Sequence, residues 1–125
     1  MRTIKVIFVE PGRYAEIREI DANVASYQRL LNGRIKQICP FEDDVAIVIN
    51  EDEKFNNTAP NRALIIDHRI RDILHGNFFI CGLGEENYES LLPELFEKYV
   101  NMFYYPERFE IGENGIMRWT VTNVY

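Results

Sequence analysis

The sequence predicts an α+β protein, with a mostly antiparallel sheet, one short and one long helix, and a C-terminal β-hairpin. Segments rich in β-branched residues fill the first two thirds of the chain, and one long apolar stripe of helical period follows them. The pair Asn114-Gly115 is typical of a hairpin turn. A chain of 125 residues suits one core and is too short for two ordinary domains, so residues 1–125 are expected to form a single domain.

The chain opens with two predicted strands. Residues 4–9 carry β-branched and aromatic side chains on both faces, which favours a central strand. Pro11-Gly12 is a turn signal, and residues 14–20 then alternate between apolar and polar. We therefore expect a first β-hairpin.

A short helix and two strands are predicted next. Asp21 can cap a helix that begins at Ala22, and Gly33 stands where a left-handed residue would end it. Residues 34–39 alternate, and residues 44–50 form a continuous apolar run, so both segments are predicted strands.

A second hairpin and the long helix follow. Residues 64–74 predict two strands around a turn at Asp67-His68, and residues 78–83 predict another strand. The apolar stripe predicts a helix over 91–103.

Turn and cap signals complete the expected order of elements. Ser90 is expected to cap the long helix, because Pro93 is tolerated only in its first turn. Residues 108–125 are expected to form the final hairpin.

Composition narrows the classes of function. The net charge of −6 and the pI near 4.9 oppose general nucleic-acid binding, which needs a basic face. No apolar run predicts a membrane span, and no signal peptide is expected. Cys39 and Cys81 lie in apolar stretches, so we expect two buried, reduced thiols in a cytoplasmic protein. His68 and His75 fall at predicted turns outside any metal-binding pattern, so neither a metal nor a cofactor is expected.

The sharpest local motif is Pro60-Asn61-Arg62. Proline stiffens the approach, Asn61 offers hydrogen-bond donors and an acceptor, and Arg62 offers a planar fork suited to a carboxylate or a phosphate. The motif therefore suggests a ligand contact. The alternative is structural: Arg62 would pair with an internal carboxylate such as Asp72, and Asn61 would shape the turn.

Two further pairs could complete a binding site. Arg69 and Arg71 are two residues apart, so they would share one strand face and present two cations. Phe78 and Phe79 point to opposite sides of the next strand, so one of them could be exposed and stack on a ring. The alternatives are a solvated face for the arginines and core positions for both phenylalanines.

Four stretches of the chain follow, in order, the pattern of a known family: Ile4-Lys5-Val6 with Val9-Glu10-Pro11-Gly12, Pro40-Phe41-Glu42-Asp43-Asp44, Pro60-Asn61-Arg62-Ala63-Leu64 and Gly76-Asn77-Phe78-Phe79-Ile80-Cys81-Gly82. The sequence resembles the uncharacterised family called domain of unknown function 3846, from about Ile4 to Phe103. This resemblance implies an accessory protein of phages and conjugative elements, often encoded near antirestriction genes and without an agreed enzymatic activity. The extension over 104–125 lies outside it.

These observations lead to one function hypothesis and one alternative. We expect a small non-enzymatic protein that counters host defence by binding an anionic, nucleotide-like molecule through the three pairs of residues described above. The alternative is an inhibitor that contacts a host defence protein, with the acidic segments 42–44 and 51–53 meeting a basic groove.

A homodimer is also expected. Aromatic side chains crowd the final segment, namely Tyr104, Tyr105, Trp119 and Tyr125. Exposed aromatic surface commonly marks an interface, so the C-terminal hairpin is the candidate contact between copies.

Overall fold

The computed structural model describes residues 2–54 and 58–122 and confirms the α+β class. The elements, in chain order, are β1 (Thr3–Val9), β2 (Glu16–Asp21), α1 (Val24–Leu31), β3 (Ile35–Ile38), β4 (Val45–Asn50), β5 (Pro60–Ile66), β6 (Arg69–His75), β7 (Phe78–Leu83), β8 (Tyr88–Glu89), α2 (Pro93–Phe103), β9 (Glu107–Gly112) and β10 (Gly115–Thr120). Six strands form an antiparallel sheet in the order β2-β1-β7-β4-β3, with β8 paired to β7. The pairs β5–β6 and β9–β10 form two separate two-stranded sheets.

The central sheet is covered on both faces. Phe78 and Phe79 are neighbours on β7, and they belong to two different core clusters because consecutive strand residues point to opposite sides. One cluster includes Tyr99 and Phe103 of α2, and the other includes Tyr27 of α1. The two helices therefore stabilise opposite faces of the same sheet.

Helix α1 is capped by Asn23, so the prediction of Asp21 is wrong. The Oδ1 of Asn23 accepts a hydrogen bond from the backbone N–H of Ser26 at 2.8 Å. Asp21 is the last residue of β2 and is paired within the sheet. At the other end, Asn32 takes the left-handed conformation, with φ of 59°, one residue before the glycine expected there.

Helix α2 begins without a side-chain cap, which corrects the prediction of Ser90. Leu92 occupies the N-cap position and Pro93 begins the helix, where its missing N–H costs nothing. The hydroxyl of Ser90 instead accepts from the backbone N–H of Lys5 at 2.9 Å. This contact holds the segment after β8 against β1, and Tyr88 pairs with Leu83 within β8.

The outer hairpin β5–β6 has the predicted turn and two irregularities. Asp67 and His68 have φ of 53° and 64°, the left-handed pair of a tight hairpin turn. Its register shifts twice, which leaves Asn61 on β5 and Arg71 on β6 as extra residues of β-bulges. The predicted C-terminal hairpin forms as β9–β10, with its turn at Glu113-Asn114, one residue before the predicted pair. Tyr125 lies outside the described residues.

A buried carboxylate joins the C-terminal hairpin to β5. Glu107, whose side chain is 3 % exposed, accepts from the backbone N–H of Ala63 at 2.9 Å. The Nε and Nη2 of Arg118 donate to its two oxygens at 2.9 and 3.2 Å. The hairpin therefore packs on β5 through a satisfied ionic contact.

The cysteines differ in burial. Cys81 is buried on β7 and burial raises the pKa of its thiol to about 12, whereas Cys39 is exposed, so the expectation of two buried thiols is wrong for Cys39. Neither of the helices in the described part of the chain is long and apolar enough to cross a membrane.

Candidate functional site

Asn61 lies inside the protein and ties strands together. Its side chain is 0 % exposed, and its Nδ2 donates to the carbonyl oxygens of Val9, at 3.0 Å, and Gly76, at 2.7 Å. Val9 ends β1, and Gly76 directly follows β6. Both amide hydrogens therefore connect β5 to neighbouring parts of the fold.

Arg62 is also 0 % exposed, and each of its guanidinium nitrogens donates to the protein itself. Nε donates to the carbonyl of Phe103 at 2.9 Å, Nη2 to that of Arg13 at 2.6 Å, and Nη1 to Oδ1 of Asn61 at 2.8 Å. Phe103 ends α2, where helix carbonyls lack partners and a cation is favourable. We call Asn61, Arg62 and these partners the Asn-Arg clamp. Its hydrogen bonds connect the end of α2 and the β1–β2 loop to β5.

The charge of Arg62 is balanced by a carboxylate that differs from the one suggested by the sequence. Burial lowers the pKa of Arg62 to about 10, and the nearby negative charge of Glu107 acts in the opposite direction. Asp72 instead forms an ion pair with Lys54 at the surface. The structural interpretation of the motif thus holds, with backbone carbonyls and Glu107 as partners, and no guanidinium nitrogen is left for a ligand.

The bulge explains why two consecutive residues are both turned inward. In a regular strand the side chains of Asn61 and Arg62 would point to opposite sides. The register of β5–β6 shifts between Pro60 and Arg62, so Asn61 is the additional residue. Both polar side chains thereby reach the same set of carbonyl groups.

Neither phenylalanine on β7 offers a stacking platform. Phe78 and Phe79 are both 0 % exposed, so the hypothesis of an exposed ring is wrong and the core alternative is confirmed. Phe78 meets Phe103 edge-on with ring centroids 5.6 Å apart, and Phe79 lies 5.4 Å from Tyr27.

Arg69 and Arg71 are the accessible members of the six predicted residues. Both are exposed on β6, but the bulge at Arg71 interrupts the alternation on which their shared face was predicted. Arg71 lines an open groove of about 340 Å³ together with His75 and Ile116. The structure therefore separates these two cations from the buried clamp and from both phenylalanines.

A further cavity lies elsewhere, between the start of α1, β3 and the segment that joins β7 to β8. Its volume of about 410 Å³ falls within the range of small-molecule sites, roughly 300–1,000 Å³. We call it the tyrosine cleft, because Tyr27 and Tyr88 line it with ring centroids 5.5 Å apart and planes tilted by 53°. None of the six predicted residues lines it; its walls are formed by Arg2, Ala22, Asn23, Val24, Tyr27, Ile35, Gln37, Leu83, Gly84, Glu85, Glu86, Asn87 and Tyr88.

The two tyrosine hydroxyl groups of the cleft differ. Tyr88 donates to the Oε1 of Gln37 at 2.7 Å. Tyr27 is only 5 % exposed, yet within the described chain its hydroxyl makes no hydrogen bond, and the oxygen is not sealed from the cavity. Burial raises the pKa of Tyr27 and raises that of Tyr88 to about 12, so both hydroxyls are neutral donors near neutral pH.

The cleft carries more negative than positive charge. Arg2 lines it, but this guanidinium is engaged by Glu89, at 2.5 Å, and by the carbonyl of Tyr88, at 3.1 Å. Glu85 and Glu86 also line the cleft, and both are exposed.

Glycine is needed in the wall beside these acidic residues. A Cβ at Gly84 would lie 2.7 Å from the Oε1 of Glu89 and 2.8 Å from the carbonyl of Asn87. The loop is closed by the N–H of Gly84, which donates to Asn87 at 2.9 Å. The turn over 84–87, directly after β7, thus forms one wall of the cleft.

Sequence reasoning missed the cleft because its residues are scattered along the chain. The sequence places Tyr27 inside the predicted short helix and Tyr88 just before the predicted long one, which gives no reason to bring them together. The sequence held one usable signal. A tyrosine at a position predicted to be buried carries a hydroxyl that needs a hydrogen-bond partner, whereas a phenylalanine does not.

The two acidic segments are largely engaged within the protein. The Oδ2 of Asp43 accepts from Lys98 at 2.7 Å and from the hydroxyl of Tyr99 at 2.6 Å, and these bonds lower the pKa of Asp43. Glu53 is buried, and its Oε2 accepts from the backbone N–H of His75 at 2.8 Å. Burial raises the pKa of Glu53, so the two carboxylates shift in opposite directions.

Apolar side chains are exposed in two places near the C-terminal part of the chain. Tyr14 stacks on Tyr104 with centroids 4.9 Å apart, and Tyr105 meets them edge-on. All three tyrosines are between 37 and 41 % exposed. On β10, Met117 and Trp119 are 64 and 40 % exposed.

Comparison with known proteins identifies a family and nothing finer. Residues 4–104 match the sequence model of the family described as domain of unknown function (DUF3846), which agrees with the resemblance noted from the motifs. No curated protein and no solved structure matches the chain. Among the described residues, no group of three His, Cys, Asp or Glu side chains could hold a metal ion.

Proposed function

The chain belongs to the DUF3846 family, and from its geometry we propose that it is a non-catalytic protein that binds a small ring-bearing molecule in the tyrosine cleft. The observation that carries this proposal is the hydroxyl of Tyr27: the residue is 5 % exposed and lines the cavity, and its hydroxyl makes no hydrogen bond within the described chain. The oxygen is open to the cavity and not sealed in the core, so a ligand that accepts or donates a hydrogen bond can replace water there.

The shape of the cleft supports the same function. Two tyrosine rings form an aromatic wall, and polar groups from Asn23, Gln37 and Asn87 surround it. Ligand sites commonly combine aromatic surface with a few polar groups that fix orientation. In the mobile-element setting that the resemblance implies, such a protein would act by holding a host defence signal and not by transforming it.

The cleft is a different location for the ligand than the sequence suggested. The predicted ligand pocket relied on Asn61 and Arg62, whose donors are used inside the clamp. Arg71 borders a separate groove. The proposal therefore keeps the class of function, sequestration without turnover, and transfers the site to Tyr27 and Tyr88.

Calorimetry and thermal-shift screening test this function. The panel holds nucleobases, nucleosides, linear and cyclic nucleotides, ADP-ribose derivatives and aromatic amines. Tyr27→Phe should weaken binding roughly 2- to 12-fold, the equivalent of one neutral hydrogen bond. Tyr104→Phe is the matched control, because that exposed hydroxyl is remote from the cleft, and it should leave affinity unchanged.

The outcome also decides between binding and catalysis. Chromatography of the recovered ligand should return it chemically unchanged. An altered ligand would show that the protein is an enzyme, and a ligand whose affinity ignores Tyr27→Phe would show that the cleft is not the site.

Protein contact is the second candidate function, and one observation favours it. The stacked patch of Tyr14, Tyr104 and Tyr105 is exposed, and tyrosine is enriched at interface hot spots. A host defence protein retained by the wild-type chain and lost with Tyr104→Ala would support this function. Glu42 and Asp44 are the exposed residues of the acidic segment 42–44. Reversing their charge tests the alternative in which this segment meets a basic groove of a host defence protein.

Self-association stays a prediction. The exposed Met117 and Trp119 on β10 make that hairpin the candidate contact for a homodimer. Light scattering at high protein concentration should give twice the mass of the chain, and Trp119→Ser should return it to that of one chain.

A further inference from the structure

We infer that the ring-bearing ligand of the tyrosine cleft carries a positive charge, as a protonated amine or a related organic cation. This inference rests on the proposed function, since it names the class of molecule that the same cleft would hold. It departs from the anionic ligand that the sequence suggested.

The charges around the cleft are the first argument. Glu85 and Glu86 line it with exposed carboxylates, and Glu89 lies beside its edge. Arg2 is the cation in that lining, and it already pairs with Glu89 at 2.5 Å. A ligand cation would meet two carboxylates that have no ion pair within the described chain, whereas an anion would have to compete with Glu89 for Arg2.

The aromatic wall is the second, independent argument. The faces of tyrosine rings carry negative potential and attract organic cations within about 6 Å of the ring centroid. The rings of Tyr27 and Tyr88 pack against each other, with centroids 5.5 Å apart and planes tilted by 53°, and Tyr88 is the more exposed of the two, so its ring supplies aromatic surface to the cavity. A cation placed there contacts ring surface and lies near the carboxylates of the loop over 84–87 at the same time.

The Tyr27 hydroxyl is the third argument, because it distinguishes a ligand site from a mere acidic patch. Its oxygen borders the cavity and makes no hydrogen bond to any residue that the structure describes. A hydroxyl oxygen can accept from an ammonium or amino group, and this contact leaves its own hydrogen available for a second bond.

Three small probes of one shape test the inference. These are 2-phenylethylamine, 2-phenylethanol and phenylacetate, which carry a positive, a neutral and a negative group on the same ring. Titration followed by amide chemical shifts gives a dissociation constant for each probe and maps the residues it contacts. The amine should bind roughly 5-fold or more tightly than the alcohol, and phenylacetate should bind most weakly.

Charge-removing variants show where the preference arises. Glu85→Gln with Glu86→Gln should reduce the affinity for the amine toward that for the alcohol, and should leave the alcohol unchanged. The matched control is Glu94→Gln with Glu97→Gln, two exposed carboxylates of α2 outside the cleft, and it should preserve the full difference.

The results separate the two proposals. If phenylacetate or the alcohol binds at the cleft as tightly as the amine, the inference about charge is overturned and the proposed function stands. If nucleotides bind there and the amine does not, the same conclusion follows. If neither these probes nor the larger panel shifts cleft resonances, the proposed function is overturned, and the inference with it.

Discussion

The Asn-Arg clamp and the tyrosine cleft both involve polar side chains of buried residues, and those side chains meet opposite outcomes. In the clamp, the amide of Asn61 and the guanidinium of Arg62 donate to carbonyl and side-chain oxygens at 2.6–3.0 Å. In the cleft, the hydroxyl of Tyr27 has no partner in the described chain. A distinctive polar motif can therefore serve folding, while an inconspicuous tyrosine lies at the proposed ligand site.

The largest expected effect comes from removing the centre of the clamp. Arg62→Ala leaves the carbonyls of Phe103 and Arg13 and the charge of Glu107 without their partner, so it should destabilise the protein by about 3–5 kcal/mol. Denaturant unfolding measures this change. Arg69→Ala, an exposed arginine, is the matched control and should stay within about 0.5 kcal/mol of wild type.

Arg62→Lys sharpens that test if the alanine variant fails to fold. A lysine keeps the charge and loses the fork that reaches three acceptors, so it should recover only part of the stability. A fully stable Arg62→Ala variant that has lost ligand binding would contradict the clamp and restore the original interpretation of the motif.

A smaller loss is expected at the second residue of the clamp. Asn61→Ala removes the hydrogen bonds to the carbonyl oxygens of Val9 and Gly76, each with a net contribution of about 0.5–1.5 kcal/mol, so we expect a total loss of about 1–3 kcal/mol. Unfolding midpoints in urea should fall accordingly. Asn101→Ala, at an exposed position of α2, should leave the midpoint nearly unchanged, and an equal loss there would remove the special status of Asn61.

The carboxyl group of Glu53 provides a test by pH. Like the clamp residues it is buried and hydrogen-bonded, but it can gain or lose a proton. Its folded-state pKa is raised by burial above the usual 4.5, so its contribution to stability is full below that pH and is lost as pH rises through the folded-state value. Glu53→Gln should abolish this decline. The amide oxygen of the new glutamine can still accept from the N–H of His75.

Asp43 should show the opposite pH dependence when the free energy of unfolding is measured against pH. Hydrogen bonds from Lys98 and Tyr99 lower its pKa, so its contribution is present above about 3.8 and is lost as pH falls. Urea unfolding between about pH 3 and pH 7 should show a weaker acid destabilisation for Asp43→Asn. Identical pH profiles for the two variants and the wild type would refute both assignments.

The smallest expected change in stability is at Tyr27. Because its hydroxyl makes no hydrogen bond to the described chain, Tyr27→Phe should alter the free energy of unfolding by less than about 0.5 kcal/mol. The same substitution should weaken ligand binding, so thermal unfolding with and without ligand separates the two effects. A large loss of stability without ligand would mean that this hydroxyl has a structural partner after all.

The sequence was sufficient for the order of elements and insufficient for the direction of side chains at irregular positions. The hairpin turn at Asp67-His68 was predictable from local turn chemistry, and the turn of β9–β10 lies at Glu113-Asn114, one residue before the predicted pair Asn114-Gly115. The inward placement of Asn61 depends on a bulge, which is set by pairing with β6 and by contacts with distant carbonyls. A single inserted position reverses the face of a residue, and periodicity cannot detect it.

The cleft was beyond prediction for a related reason. Its walls come from the first residues of the chain, the start of α1, β3 and the segment before β8, so they meet only after the sheet has formed. The N-cap of α1 shows the same limit of prediction within a short stretch of sequence. Asp21 and Asn23 can both cap a helix, and sheet pairing of Asp21 decides between them.

The carboxylate of Glu107 has a consequence for where this protein can be cut. The family match ends at residue 104, and Glu107 lies beyond that boundary. Its carboxylate accepts a hydrogen bond from the backbone N–H of Ala63 and offsets the charge of Arg62. A fragment that stops at residue 104 would leave a buried cation uncompensated, and we expect it to be recovered as insoluble or proteolysed material. We therefore expect the boundary of the family match and the boundary of a stably folded unit to differ in this chain.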